Sequence, residues 1–93
     1  MNTLKLVLKK KWFDMIASGE KTEEYREITR YWKKRMYNCK LRHYDKVTFY
    51  LGYAKDRPSM TFALDNIMID RGKYNWGAEP GKLYYVIKLG KRL

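Results

Sequence analysis

The stretch Ser59-Met60-Thr61-Phe62-Ala63-Leu64-Asp65-Asn66-Ile67-Met68-Ile69-Asp70 decides the fold. Its apolar side chains alternate as Met60, Phe62 and Leu64, then resume as Ile67 and Ile69, one residue out of phase. Side chains in a strand alternate between faces, so a slip at Asp65-Asn66 would turn the inward set outward. A β-bulge or corner at that point restores the facing and bends the strand around a small barrel. Ahead of it, Lys46–Leu51 puts Val47, Phe49 and Leu51 on one side, and the Gly, Asp and Pro of Gly52–Pro58 make a turn or loop. Behind it, Arg71–Lys82 reads as a Gly- and Pro-containing loop that carries Trp76. Leu83–Leu89 then alternates, with Leu83, Tyr85, Ile87 and Leu89 facing inward. Everything after Asp45 therefore reads as strands.

The first half is mixed. Thr3–Lys9 alternates, with Leu4, Leu6 and Leu8 facing one way and Lys5 and Lys9 the other, which is the pattern of a half-buried strand. Trp12, Phe13, Ile16 and Ala17 form an apolar stripe on a short helix from Lys10 to Ser18, and Gly19 follows as its C′ residue. Lys21–Glu27 is charged and β-like around Tyr25. Thr29 is placed as the N-cap of a second helix reaching Tyr37, with Ile28, Trp32 and Met36 inside and Arg30, Lys33 and Lys34 outside. Short twisted strands, two small helices and no βαβ rhythm predict one domain over residues 1–93, a compact mixed β-barrel or an α+β fold.

Composition narrows the chemistry. At 93 residues the core is thin, but 45% hydrophobic and 16% aromatic residues suffice to build one. Twenty-one Lys and Arg against 10 Asp and Glu give a net charge of +11, an excess that calls for a polyanionic partner or a solubility explanation. No apolar run reaches the ~18–20 residues of a membrane span, and the N-terminus lacks the apolar core of a signal peptide. Cys39 and His43 stand alone of their kinds, so neither a disulfide framework nor a four-ligand Cys/His zinc site is available. The expectation is a cytoplasmic protein without metal or cofactor, taken as a monomer. Its chemistry would rest on Lys, Arg, Glu and Tyr. Cys39 reads as an inert small residue and His43 as a surface histidine.

The sharpest local signal is Gly19-Glu20-Lys21-Thr22-Glu23-Glu24-Tyr25-Arg26. Gly19 permits a positive φ and a close backbone approach. In an extended segment Thr22, Glu24 and Arg26 share one face, and Lys21 at the strand entrance can lean to either side. Glu24 can orient Arg26 or hold Lys21. The three together suit a phosphate or the polar edge of a base. They equally suit an exposed salt bridge worth ~0–1 kcal/mol.

The run Trp12-Phe13-Asp14-Met15-Ile16-Ala17-Ser18-Gly19-Glu20-Lys21-Thr22-Glu23-Glu24-Tyr25-Arg26 resembles the helix-plus-signature of the ASCH domain family. That family's pattern G-x-K-x-x-E-x-R is matched by Gly19, Lys21, Glu24 and Arg26. Trp76-Gly77 followed by Tyr85-Val86-Ile87-Lys88-Leu89-Gly90 is similar to the closing strand of its small bacterial and phage members. The resemblance implies a PUA-like pseudo-β-barrel with two short helices. Its cleft would be lined by Lys21, Glu24 and Arg26 and would hold RNA or a nucleotide-like ligand. Some single-domain relatives are amidohydrolases of acylated cytidine nucleosides that use a Thr nucleophile three residues after the motif Lys and a Glu further along. Here that Thr position is Glu24, Thr22 does not match it, and Glu79 has no clear alignment. A carboxylate cannot take over the covalent role without a different mechanism. Other relatives are reported to cut RNA. For that chemistry Lys21 and Glu24 would be the catalytic acid/base pair, with Arg26 on the phosphate.

A second constellation runs from Arg30-Tyr31-Trp32-Lys33-Lys34-Arg35 through Lys40 to Arg42-His43-Tyr44, with no acidic residue from Ile28 to Tyr44. Cations release counterions from phosphates, and interleaved aromatics stack on unpaired bases. The same charges also read as a solvated helix face, with Trp32 as core. Of the remaining aromatics, Tyr50 and Tyr84 alternate away from the inward faces, where either can floor a cleft or shield a barrel seam. The nucleic-acid-binding set is therefore Lys21, Arg26, Arg30, Lys33, Lys34 and Arg35 on phosphates, with Glu24 and an aromatic such as Tyr53 or Trp76 on a base. On this reading Lys21→Ala and Arg26→Ala weaken binding without unfolding the domain. The competing functions are a nucleoside amidohydrolase or ribonuclease, and a basic module that meets an acidic protein surface.

Overall fold

The computed structural model describes residues 2–37 and 44–93. Cys39, Lys40, Arg42 and His43 lie outside the described residues. The elements follow as β1 (Thr3–Leu8), α1 (Lys10–Ala17), β2 (Glu23–Glu27), α2 (Arg30–Met36), β3 (Lys46–Leu51), β4 (Ser59–Arg71), a 3-10 turn (Tyr74–Trp76) and β5 (Leu83–Arg92). The strands form one curled sheet in the order β1-β3-β4-β5-β2, with β1 parallel to β3 and the other pairs antiparallel. The molecule is a small α+β half-barrel with two short helices. Among the described residues no helix is long and apolar enough to cross a membrane.

The phase slip lies where the alternation places it. The β4–β5 register shifts between Phe62 and Leu64 and again between Leu64 and Asn66. Before the slip β4 pairs with β3 from Ser59 to Ala63, and after it with β5 alone from Asn66 to Arg71, with Phe62 and Leu64 paired to Arg92 and Leu89 of β5 across the irregular stretch. One long strand thus serves two neighbours by bending between them. Gly90 sits at the bend, where a Cβ would stand 3.2 Å from the Ala63 carbonyl oxygen, so a bare Cα lets the strands stay close.

The main core gathers Leu4, Leu6 and Leu8 from β1, Phe13 and Ile16 from α1, and Met36 from α2, with Val47, Phe49, Phe62, Ile67, Tyr85 and Ile87 from the sheet. Truncating one of the larger of these to Ala costs about 2–5 kcal/mol in a domain with few to spare. Several residues expected inside lie outside that cluster. Ile69 and Leu83 are about half exposed, near the end of β4 and at the start of β5. Ala17 is exposed on the final turn of α1, and Ile28 precedes α2 and stays 43% exposed. Trp32 and Leu51 pack only partly against the core.

β5 is the larger surprise. Tyr84, Tyr85, Val86 and Ile87 are all buried, so β5 is covered on both faces. Tyr85 and Ile87 face the main core, while Tyr84 and Val86 join Ala78 in a second cluster, with Tyr25 and Met68 against it. The chain after β4 folds back over the outer face of the sheet to make this second core. Gly72 allows it, since a Cβ there would meet Ala78 Cβ at 2.7 Å and the Tyr25 ring at 2.8 Å. The final strand is therefore interior to the sheet rather than closing it. The barrel stays open between β1 and β2, the two edge strands.

Candidate functional site: the seam between the two edge strands

The open seam is crossed by a side chain instead of a hydrogen-bond ladder. Arg26 Nη2 donates to the Val7 carbonyl at 3.0 Å, tying β2 to β1, and also to Glu24 Oε2 at 2.6 Å. The other carboxylate oxygen of Glu24 accepts from Lys21 Nζ at 2.9 Å. Lys21, Glu24 and Arg26 thus form one ionic chain, and the structure brings together the three heads that the spacing pointed to. The paired side chains are 1% exposed for Lys21, 7% for Glu24 and 17% for Arg26, which rules out the exposed salt bridge.

Local structure explains how Lys21 gets there. The end of α1 is closed by Ser18 N–H on Asp14 O, Gly19 N–H on Ile16 O and Lys21 N–H on Met15 O, with Gly19 at φ +85°. This left-handed closure holds the Lys21 backbone against the last helical turn. Its ammonium then lies 4.4 Å from the Trp12 ring centroid and 5.7 Å from that of Tyr25. Glu24 and Arg26 pair with Ile87 and Tyr85 on the main-core face, whereas Tyr25 pairs with Val86 on the second-core face. The side chains of β2 thus pack on both faces of the sheet while its outer edge stays at the seam.

Around this edge is a cavity of about 340 Å³, a size suited to a small organic ligand. It is lined by Val7 and Leu8 of β1 and by Glu24–Glu27 of β2, together with Lys21, Tyr84 and the aromatic side chains of Trp12 and Trp76. Its charged lining is balanced, Lys9, Lys21 and Arg26 against Glu24, Glu27 and Glu79. The Arg26 guanidinium carbon is 5.0 Å from the Trp32 ring centroid, and Arg26 Nε is buried without a hydrogen-bond partner among the described residues. A half-satisfied guanidinium is a costly group to keep dry.

Tyr25 braces the wall that carries Trp76. Its hydroxyl donates to Glu23 Oε1 at 2.8 Å and accepts from the Lys73 backbone N–H at 3.0 Å, at the start of the 3-10 turn. Burial, reinforced by the Glu23 and Glu24 carboxylates, holds this phenol well above the usual tyrosine range. Gly77, at φ +104°, lies so close to Trp12 that a Cβ would stand 3.0 Å from its ring. The turn therefore presses directly on the indole.

The other sequence-derived candidates divide. Trp76 lines the cavity. Tyr53 does not: it is 83% exposed and borders another hollow with Leu51 and Gly52, which shares only Val7, Leu8 and Lys9 with the seam cavity. Of the two cleft-floor tyrosines, Tyr84 lines the cavity, while Tyr50 lies under Arg57, whose guanidinium carbon is 4.2 Å from its ring centroid. Arg30, Lys33, Lys34 and Arg35 are exposed on α2, whose N-cap Thr29 Oγ1 accepts from Trp32 N–H at 3.3 Å as expected. Thr22 is exposed and does not line the cavity. Among the described residues no group of three or more His, Cys, Asp or Glu is placed to hold a metal ion.

Trp12 and Tyr25 were not among the candidates, and both shape the site. The signal for Trp12 was its place at the margin of the α1 stripe beside Lys11. The chain matches no protein-family model, no curated protein and no solved structure.

Proposed function

We propose that this chain binds single-stranded RNA or a nucleotide-like ligand, seating a base in the β1–β2 cavity and its phosphates on α2. The observation that carries the reading is the pairing of two surfaces. One is a cavity with indole walls and polar groups of balanced charge, suited to the flat, neutral, hydrogen-bonding face of a base. The other begins two residues after β2 and presents Arg30, Lys33, Lys34 and Arg35 with no acidic residue among them. The resemblance to ASCH and PUA-like domains supports the same reading, and we place the protein in the cytoplasm on its lone cysteine.

The roles differ from a simple phosphate clamp. Lys21 is committed to Glu24 and Trp12, so it supports the base pocket rather than gripping a phosphate. Glu24, neutralised by two cations, presents a fixed dipole at the floor. Arg26 keeps unspent donors beside the β1 edge. The amidohydrolase and ribonuclease readings gain no support here. The amidohydrolases' Thr position is held by Glu24, and both of its carboxylate oxygens are engaged, one by Lys21 and one by Arg26.

The test is titration of a labelled single-stranded RNA at several salt concentrations. Binding should weaken steeply with salt, by about 0.7 in the logarithmic slope per phosphate contact, and Trp76→Ala should reduce it at every salt concentration. Absence of RNA binding, with salt-sensitive binding to an acidic protein surface instead, would overturn the reading in favour of a basic interaction module. Turnover of the RNA or of N4-acetylcytidine would mark the site as catalytic.

A further inference from the structure

The 3-10 turn divides its aromatics between two hollows. Trp76 faces the cavity at the β1–β2 seam. Tyr74 and Asn75 face a second cavity of about 620 Å³ between the turn and α1, whose opposite side carries Lys11, Met15 and Glu20. The two cavities share Trp12, Gly77 and Glu79 as a common wall.

The second cavity has groups of the same kinds as the first, but fewer: besides the shared indole and Glu79 it has Tyr74, Lys11 and Glu20, where the first has Trp76, Tyr25 and Tyr84 with Lys9, Lys21, Arg26, Glu24 and Glu27. Their cations differ in commitment. Lys21 Nζ is buried against Trp12, whereas Lys11 Nζ rests 4.7 Å from the same ring on an exposed side chain. An exposed lysine on an indole is held only weakly, by less than a stacked base gains. A ligand ring can therefore displace Lys11 and leave its ammonium free for the adjoining phosphate.

We infer that the second cavity is a subsite for the neighbouring nucleotide, so that the site takes two consecutive unpaired nucleotides with Trp12 standing between their bases. Tyr74 is the stacking partner of this subsite and Lys11 its phosphate contact. The inference rests on the nucleotide-binding reading above.

Calorimetric titration with adenosine monophosphate and with the 5′-phosphorylated adenylyl dinucleotide tests it. The dinucleotide should bind roughly tenfold or more tighter than the mononucleotide. Tyr74→Ala should abolish that gain, while Trp76→Ala should weaken both ligands. Tyr74 is 74% exposed and outside both cores, so its replacement leaves the fold intact. Equal affinity for the two ligands, or a Tyr74→Ala variant that keeps the full gain, overturns the second subsite and leaves the first standing. Failure of both ligands to bind overturns the nucleotide reading and the second subsite together.

Discussion

Lys21 and Lys33 carry the same charge twelve positions apart, yet one is sealed beneath the β1–β2 seam and the other stands free on α2. Lys21 has a carboxylate at 2.9 Å and an indole against its ammonium; Lys33 is exposed on a helix without acidic residues. A buried, paired charge resists salt and fixes geometry, whereas exposed charges act at a distance and are screened within about 10 Å at 0.1 M ionic strength. On the proposed reading the seam selects what binds and α2 sets how strongly a polyanion is drawn in. Substitutions in the two regions should therefore fail differently.

The largest effect is expected at Lys21. Its burial revises the expectation that Lys21→Ala leaves the fold intact. Removing one partner of a buried ion pair costs about 3–5 kcal/mol, a large share of the stability of a small domain. Thermal unfolding of Lys21→Ala should show this loss, and Lys21→Met with Glu24→Gln should recover part of it, since no uncompensated carboxylate is left behind. Retention of the parent melting temperature by Lys21→Ala would mean the ionic chain is not buried as described.

Trp76→Ala comes next, with RNA affinity reduced by about 1–3 kcal/mol and an unchanged salt slope. A changed slope would place Trp76 among the phosphate contacts. Tyr25→Phe should cost about 0.5–1.5 kcal/mol of stability through the lost Glu23 and Lys73 hydrogen bonds. Its pH signature has a definite sign. The folded-state value of the Tyr25 phenol is raised, so its contribution is fully present below the ordinary tyrosine value of about 10 and is lost as pH rises above it. Denaturation at pH 8 and pH 11 should show a smaller alkaline loss in Tyr25→Phe than in the parent. An equal loss would mean that other groups dominate the alkaline limb. The smallest effect is expected from Lys33→Gln: unchanged folding, a modest loss of RNA affinity at low salt, and a salt slope shallower by about 0.7. An unaltered slope would remove Lys33 from the phosphate path.

The same contrast explains what the sequence could and could not reveal. Signals written into neighbouring residues were legible: the slip in β4, the Gly19 cap, the Thr29 cap and the convergence of Glu24 with Arg26 on one strand face. Depth was not. Lys21 is buried because Trp12 from α1 and the edge of β2 close over it, and no local pattern encodes that packing. β5 read as one-faced because Leu83, Tyr85, Ile87 and Leu89 alternate cleanly. Its second covered face depends on Gly72, which lets the loop between β4 and β5 fold back so that Ala78 packs with Tyr84 and Val86 beside Tyr25. Tyr53 looked as suitable as Trp76 by residue type, and only the folded chain places it at another hollow.

The central claim is that the β1–β2 seam is where a base is seated, and chemical-shift mapping of the nitrogen-15-labelled protein against a short single-stranded RNA tests it most directly. The largest perturbations should fall on the Trp76 indole, the Trp12 indole and the backbone amides of Val7 and Glu24–Glu27, with smaller, salt-sensitive ones on α2. Perturbations confined to α2 and the β3–β4 loop, with both indoles unmoved, would contradict it.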